Sequence, residues 1–249
     1  MNRIYLTPVV KQILIACIVL YLGTMLLKYR QIFDLDTVLA MHYPLHPDFR
    51  PWQIITHMFM HDSNGLSPHL LFNMFALVSI GTIVERFLGS KKFLQLFVYA
   101  GLGSIGLHII VETFMVHNAI GEWFPSFNSL GIQLNDDNNP FTYSSRYTQE
   151  SFDTVARAYF SKLLGASGAI YGIIVAFAYF FPNTELMFMF IPYPVKAKYL
   201  VPIMIGLDIY LAVSNFGWDP VAHFAHIGGA VTGLAVVWYW RKFDRTNFY

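Results

Sequence analysis

Two side chains of this sequence, a serine and a histidine, stand in surroundings that suit nucleophilic chemistry. Ser167 lies between Gly165 and Gly168, so little side-chain bulk surrounds its hydroxyl. A serine hydroxyl is a weak nucleophile until a base takes its proton, and histidine is the usual base because its pKa lies near neutral pH. We pair Ser167 with His226. Helix packing is the alternative role for the serine, because glycine and serine are common where membrane helices touch.

Hydrogen-bond donors for an oxyanion are available in a second stretch. His69 and Asn73 are four residues apart and therefore share one face of a helix. A carbonyl under attack needs donors for its developing negative charge. The ring N–H of His69, the amide of Asn73 and the backbone N–H of Ser167 could supply them. Holding helices together is the alternative role for His69 and Asn73.

Glycines at helical spacing would let the serine and the histidine meet. Gly168 and Gly172 follow the serine along one stripe, and Gly229 and Gly233 follow the histidine along another. Helices with small-residue stripes can approach closely. We therefore expect the two helices to pack through these glycines and to bring base and nucleophile within about 3 Å.

The composition is that of a membrane protein. Of the 249 residues, 55% are hydrophobic and only 12% are charged, and the mean hydropathy is +0.47. Soluble domains carry about 25% charged residues. The net charge of +1 offers no attraction for polyanions, so we expect no nucleic-acid partner. The single cysteine, Cys17, can form no disulfide within the chain.

Apolar runs predict an all-α membrane protein with six spanning helices in a single domain, because a span needs about 20 mostly apolar residues. The domain covers 1–249, and the runs are about 12–27, 69–88, 92–116, 166–181, 199–214 and 221–240. The first run could be a signal peptide, but no small-residue cleavage site follows it, so we interpret it as a helix. A long polar loop, about 117–160, separates helices three and four. The stretch 148–163 has the spacing of an amphipathic helix.

Lysine and arginine are more frequent on the side of the predicted bundle that holds both termini, the 89–92 turn and the 182–198 loop. Cytoplasmic loops carry an excess of these residues. We therefore expect both termini in the cytoplasm and the long loop on the outer side. The candidate site residues then lie in the outward halves of their helices, at a similar depth.

Other ionisable side chains in the predicted spans need an explanation, because they are costly in a bilayer. His108 and Glu112 are four residues apart and could pair with each other. Asp208 is isolated in helix five, and we expect it to be hydrogen-bonded inside the bundle and outside the site. His223 is a rival base, but the glycine spacing favours His226 and leaves His223 a packing role.

Four histidines of the first loop form two pairs with the spacing of metal ligands, His42 with His46 and His57 with His61. A structural role is the alternative that we favour for both pairs. We predict no metal and no cofactor for chemistry at Ser167.

Three motifs stand in the order and on the helices expected of rhomboid intramembrane serine proteases. They are His69-x-x-x-Asn73, Gly165-x-Ser167-Gly168 and Ala225-His226-x-x-Gly229-x-x-x-Gly233. Each motif is weak alone, but three in register on helices two, four and six are specific. The resemblance extends from about residue 50 to the C-terminus and implies a six-transmembrane-helix rhomboid bundle with a long extracytoplasmic loop between helices three and four.

The resemblance also implies roles for individual residues. Ser167 would be the nucleophile and His226 its base, with no third, acidic member. His69 and Asn73 would support the oxyanion, and Tyr171 matches the tyrosine that packs on the catalytic histidine.

Other positions match the family less fully or depart from it. Glu85, before Arg86, matches a structural acid of helix two. The long loop and the stretch 62–68 are more extended than in compact bacterial rhomboids, and Trp52 lacks the arginine that often follows it.

The expected function is intramembrane proteolysis. The resemblance implies hydrolysis of peptide bonds in or near transmembrane segments, through an acyl-enzyme, with single-span or multi-span membrane proteins as substrates and the lipid bilayer as surroundings. It points to an integral multi-pass protein of the bacterial cytoplasmic membrane whose site opens outward. Two other hypotheses stay open: a membrane metalloprotein that uses its nine histidines, and a non-catalytic rhomboid-like binder of transmembrane helices.

Overall fold

The computed structural model of the chain describes residues 6–63, 65, 67–131, 133–134, 141–142, 147–187, 193–214 and 222–243, and these are mostly helical. The helices are α1 (Pro8–Tyr29), α2 (Leu35–Leu39), α3 (Gln53–Thr56), α4 (Pro68–Ala76), α5 (Thr82–Leu88), α6 (Ser90–Ile120), α7 (Gln149–Phe160), α8 (Ser167–Phe180), α9 (Ala197–Ser214) and α10 (His223–Phe243). A 3-10 turn, His57–Phe59, follows α3, and a π-helical turn, Leu77–Gly81, joins α4 to α5. The strand pairs, both antiparallel, are β1 (Gln133–Leu134) with β2 (Phe141–Thr142) and β3 (Glu185–Leu186) with β4 (Val195–Lys196).

Each predicted apolar run contains helix, and four helical segments among the described residues are long and apolar enough to cross a membrane. They are Pro8–Tyr29, Pro68–Leu88, Ser90–Ile120 and Ala197–Ser214. The segment Ser167–Phe180 is apolar but shorter. The helix α10 has the length of a span, but its histidines and glycines lower its hydropathy. The count of six spans therefore stays a prediction, and the predicted start of helix six at 221 lies outside the described residues.

The helices α6, α8 and α10 pack against one another at the centre of the molecule. Large buried side chains from α6 and α8, among them Phe97 and Phe177, fill the core. The crossing of α8 and α10 has almost no side-chain bulk. A Cβ placed on Gly229 would lie 1.9 Å from the carbonyl oxygen of Gly168, and a Cβ on Gly233 would lie 2.5 Å from the Cα of Gly172. The two backbones are therefore in direct contact.

A buried glutamate ties the start of α1 to α5. The carboxylate of Glu85 accepts hydrogen bonds from the backbone N–H groups of Val9, at 3.0 Å, and Val10, at 2.9 Å. It also accepts one from the Ser90 hydroxyl at 2.6 Å. These N–H groups lie in the first turn of α1, where a helix has no internal acceptors and carries partial positive charge. Glu85 therefore caps α1 from a neighbouring helix.

The predicted amphipathic helix is present as α7, and it supports the segment that leads to the serine. Its buried residues Phe152 and Tyr159 pack with Tyr43 of the first loop. Burial raises the pKa of the Tyr159 phenol. Downstream of α7, Leu163 forms two backbone hydrogen bonds with Met41, both of 2.9 Å. The first loop and the long loop thus hold the chain just before Ser167. Part of the long loop, residues 132, 135–140 and 143–146, lies outside the described residues.

Candidate active site

Ser167 is the first residue of α8, and the chain reaches it through a glycine turn. Gly165 has φ +128°, which L side chains rarely adopt, so a glycine is required here. The N–H of Gly165 donates to the carbonyl oxygen of His57 at 3.0 Å and anchors the turn. Because Ser167 begins the helix, its own N–H has no acceptor within α8.

The structure brings Ser167 and His226 into hydrogen-bond contact. The Oγ of Ser167 lies 3.0 Å from the Nε2 of His226. The ring of Tyr171 stacks on His226, with 4.2 Å between centroids and an interplanar angle of 10°. His226 is buried, whereas Ser167 is partly exposed. The arrangement allows Nε2 to accept the serine proton while the hydroxyl can be reached from outside the bundle.

The two predicted oxyanion donors lie on α4 and differ in solvent exposure. His69 is exposed, and its Cε1 would lie 2.7 Å from a Cβ placed on Gly165, so the ring borders the turn before the serine. Asn73 is buried, and its amide nitrogen lies 3.1 Å from the Nε2 of His61, to which it donates. An amide has two N–H groups, so one stays available for a substrate oxygen.

His61 lies beside the candidate site, although its spacing in the sequence indicates only a pair of possible metal ligands with His57. It is fully buried and holds the amide of Asn73, while the Nδ1 of His57 donates to the carbonyl oxygen of Gln53 at 2.8 Å. The two histidines are engaged in separate hydrogen bonds. Burial lowers the pKa of each imidazole to about 4. Sequence spacing alone does not predict the His61–Asn73 contact, because the two residues do not lie on one continuous helix.

The free energy of unfolding is expected to fall as the pH is lowered from about 6.5, the ordinary pKa of histidine, to about 4, the pKa of buried His61. In this window the unfolded chain binds a proton that the folded chain does not, so acid favours unfolding. The loss is on the order of a few kcal/mol. We expect His61→Gln to make this dependence less steep and to leave the part due to buried His57, measured by thermal unfolding in detergent across the window. His117→Gln, beside Trp123, controls for losing one imidazole. An unchanged slope in His61→Gln would show that His61 titrates normally.

Asp208 lies in the site, although the sequence predicts it to lie outside. Its Oδ1 is 3.2 Å from the Nδ1 of His226 and 2.5 Å from the Nδ1 of His223. His226 therefore contacts both the carboxylate and the serine, whereas the rival base, His223, contacts the carboxylate. Asp208 belongs to a different helix from both histidines, and no motif or spacing links it to them. An isolated carboxylate in an apolar helix is the signal that could have placed it in the site.

Clusters of possible metal ligands occur twice among the described residues. One is His42, His46 and Asp48, and the other is Asp208, His223 and His226. In each cluster the candidate ligand atoms lie within 4.8 Å of one another. The second cluster coincides with the proposed base, so the hypothesis of a metal site and that of a serine protease make different predictions for the same histidine.

Comparison with known proteins identifies the family of this chain. The family model described as a rhomboid domain matches residues 48–127 and 140–243. An uncharacterised mitochondrial rhomboid protein of Schizosaccharomyces pombe is 29% identical over 205 residues, 74% of this chain and 49% of the relative. The rhomboid protease GluP of Bacillus subtilis is 28% identical over 184 residues, 74% of this chain and 25% of the relative. The rhomboid protease GlpG of Haemophilus influenzae is 36% identical over 86 residues, 34% of this chain and 41% of the relative.

The matched relatives are longer than the region they share with this chain. The chain spans about half the length of the fission yeast relative and a quarter of that of GluP. The matched family model, by contrast, covers most of this chain and includes every residue of the candidate site. The chain belongs to the rhomboid family of membrane proteins.

Proposed function

We propose that this chain is an intramembrane serine endopeptidase that cleaves peptide bonds in or near the transmembrane segments of membrane proteins. The observation that carries the proposal is the 3.0 Å contact between the Oγ of Ser167 and the Nε2 of His226. Two relatives, GluP and GlpG, are named rhomboid proteases. The family resemblance and the geometry therefore support the same nucleophile and base.

The proposed reaction has two steps. The hydroxyl of Ser167 loses its proton to His226 as Oγ attacks the scissile carbonyl, and the imidazolium then protonates the leaving amine. In the second step His226 deprotonates a water that attacks the acyl-enzyme, and the imidazolium returns the proton to the Oγ of Ser167 as the acyl–oxygen bond breaks and the second product leaves. The negative charge of each tetrahedral intermediate would be stabilised by the N–H of Ser167, the free amide N–H of Asn73 and the ring of His69.

The length of α8 supports cleavage inside the membrane. The helix α8 has 14 residues, which is about 21 Å of helix, whereas the hydrocarbon core is about 30 Å thick. If the end of α8 at Phe180 lies at one boundary of the core, Ser167 lies roughly 9 Å below the other. Irregular backbone is tolerated at that depth where protein buries it, and the turn at Gly165 is held by His57.

The membrane arrangement belongs to the same proposal. It comprises one six-span domain, termini in the cytoplasm and a site that opens to the outer side. The compartment stays a prediction, because the relatives include a mitochondrial protein of a yeast as well as bacterial proteases. A bacterial cytoplasmic membrane is one of the locations consistent with these relatives.

The proposal is tested by labelling the purified protein, reconstituted in lipid, with a serine-directed fluorophosphonate. We expect the adduct to map to Ser167, and we expect labelling to stop cleavage of a single-span model substrate while a chelator has no effect. Cleavage that the chelator abolishes would favour a metalloprotein based on the histidine clusters. Substrate binding without cleavage or labelling would favour a non-catalytic binder of transmembrane helices.

A further inference from the structure

The carboxylate of Asp208 is buried in a helix that is otherwise largely exposed. Asp208 is 5% exposed, whereas its neighbours Leu207, Ile209 and Tyr210 are 56%, 48% and 59% exposed. The other buried residues of α9, Ala197, Leu200 and Val201, lie in its first turn or shortly after. The second half of α9 thus has one buried side chain, and that side chain is an acid.

The partners of this carboxylate are the histidines of α10. One oxygen, Oδ1, lies between the Nδ1 of His226 at 3.2 Å and the Nδ1 of His223 at 2.5 Å. The carboxylate can only accept when ionised, so each imidazole donates through Nδ1. For His226 this leaves Nε2 free of a proton in the neutral ring, and Nε2 is the atom that faces Ser167.

We propose that Asp208 is a positioning residue of the site, which orients His226 through Nδ1 and completes a chain from Ser167 to His226 to Asp208. This inference rests on the proposed protease function. A histidine can present either nitrogen as acceptor, and the hydrogen bond at Nδ1 selects the tautomer in which Nε2 accepts. When the serine proton moves to Nε2, the ionised carboxylate faces the imidazolium and stabilises it, while Asp208 itself keeps its charge and gains no proton.

The positioning of His226 depends on α9, the helix that carries Asp208. Tyr171 packs on the face of His226 and also interacts with the Asp208 carboxylate. The base is therefore held from α8 by a stacked ring and from α9 by a carboxylate. His223 holds the same oxygen of Asp208 and restricts its orientation. Any displacement of the second half of α9 would withdraw the carboxylate from His226.

The inference is tested with Asp208→Asn, which removes the charge and keeps the size. We expect kcat/KM for the single-span substrate to fall by about 10²–10⁴-fold, mainly through kcat, because an amide can donate to Nδ1 and favour the wrong tautomer. The rate of phosphonate labelling at Ser167 should fall in parallel. Asp208→Glu should restore part of the activity. Asp153→Asn, on the exposed face of α7, is the matched control and should behave like the wild type.

The pH profile separates positioning from a structural role. In Asp208→Asn the acid limb of kcat/KM should move to lower pH, because the carboxylate that favours the protonated base is gone. The groups facing His226 that also shape this limb are Ser167 and Tyr171 from α8, His69 from α4 and His223 from α10. The profile of His223→Gln therefore serves as reference. Reduced thermal stability with an unmoved acid limb would overturn the inference.

A measurement on the wild type covers the case in which the variants fail to fold. Nitrogen NMR of histidine-labelled protein in lipid, assigned with His226→Ala, should show Nδ1 protonated and Nε2 unprotonated in His226. The opposite tautomer would overturn the inference.

The remaining outcomes distinguish failure of the positioning role from failure of the protease function. If the wild type cleaves and Asp208→Asn matches it in rate and profile, the positioning role is wrong and the protease stands. If the wild type neither cleaves nor is labelled at Ser167, the protease proposal fails and the inference falls with it. If a chelator abolishes wild-type cleavage and Zn²⁺ restores it, the three side chains bind metal and the inference is wrong.

Discussion

Ser167→Ala is expected to reduce cleavage of a reconstituted single-span substrate by at least about 10³-fold. The variant removes the Oγ that lies 3.0 Å from His226, so no acyl-enzyme can form. It should leave the fold intact, because alanine is smaller than serine by only the hydroxyl group and Ser167 is partly exposed. Cleavage rates and phosphonate labelling, measured in the same liposomes, check the prediction.

Three companion variants make this result specific. Ser79→Ala alters an exposed serine whose hydroxyl donates to the carbonyl oxygen of Phe75, and it should retain wild-type cleavage. His226→Ala should lose about as much activity as Ser167→Ala, and the double variant little more, because residues that act as a unit are non-additive. Substantial cleavage by Ser167→Ala would mean that Ser167 and the glycines that follow it serve only in helix packing.

The parts of the site that the sequence predicts are those that helical spacing places on one face. Ser167 and Tyr171 are four residues apart on α8, and His226 precedes its glycines by whole turns on α10. Pairing the two glycine stripes is then enough to predict that the serine, the tyrosine and the histidine lie close together. The i,i+4 pair of His108 and Glu112 is equally local, and the structure places the Nε2 of His108 3.2 Å from a carboxylate oxygen of Glu112.

The contacts that the sequence does not predict join different elements, and they depend on how each helix is rotated about its axis and how far it is shifted along it. Asp208 meets His226 only because α9 turns its single buried acid toward α10. Asn73 of α4 meets His61, which lies before α4 and outside any helix. The short helices α2 and α3 form within a first loop rich in proline, where tertiary packing decides the structure. These contacts depend on how each helix is turned about its axis, which hydrophobic patterning leaves open when most faces are apolar.

The glycine crossing of α8 and α10 leads to the second large effect, that of Gly229→Ala. A Cβ on Gly229 would lie 1.9 Å from the carbonyl oxygen of Gly168 and 2.7 Å from its carbonyl carbon. Both are backbone atoms, so no side chain can rotate away and the helices α8 and α10 must separate. We expect a loss of roughly 3–5 kcal/mol in the free energy of unfolding, measured by thermal or denaturant unfolding in detergent.

Gly106→Ala is the matched control, because the position is helical and a Cβ there would meet nothing within 4 Å. It should be neutral or stabilise by about 0.5–1 kcal/mol, since alanine is the better helix former. Gly229→Ala that still folds should also lose activity by about 10²-fold, because moving α10 by about 1 Å displaces His226 from Ser167. Stability and cleavage equal to the wild type would contradict the close crossing. Because the same glycines that join the helices also set the distance between base and nucleophile, stability and catalysis should fail together at this crossing, whereas Ser167→Ala should separate them.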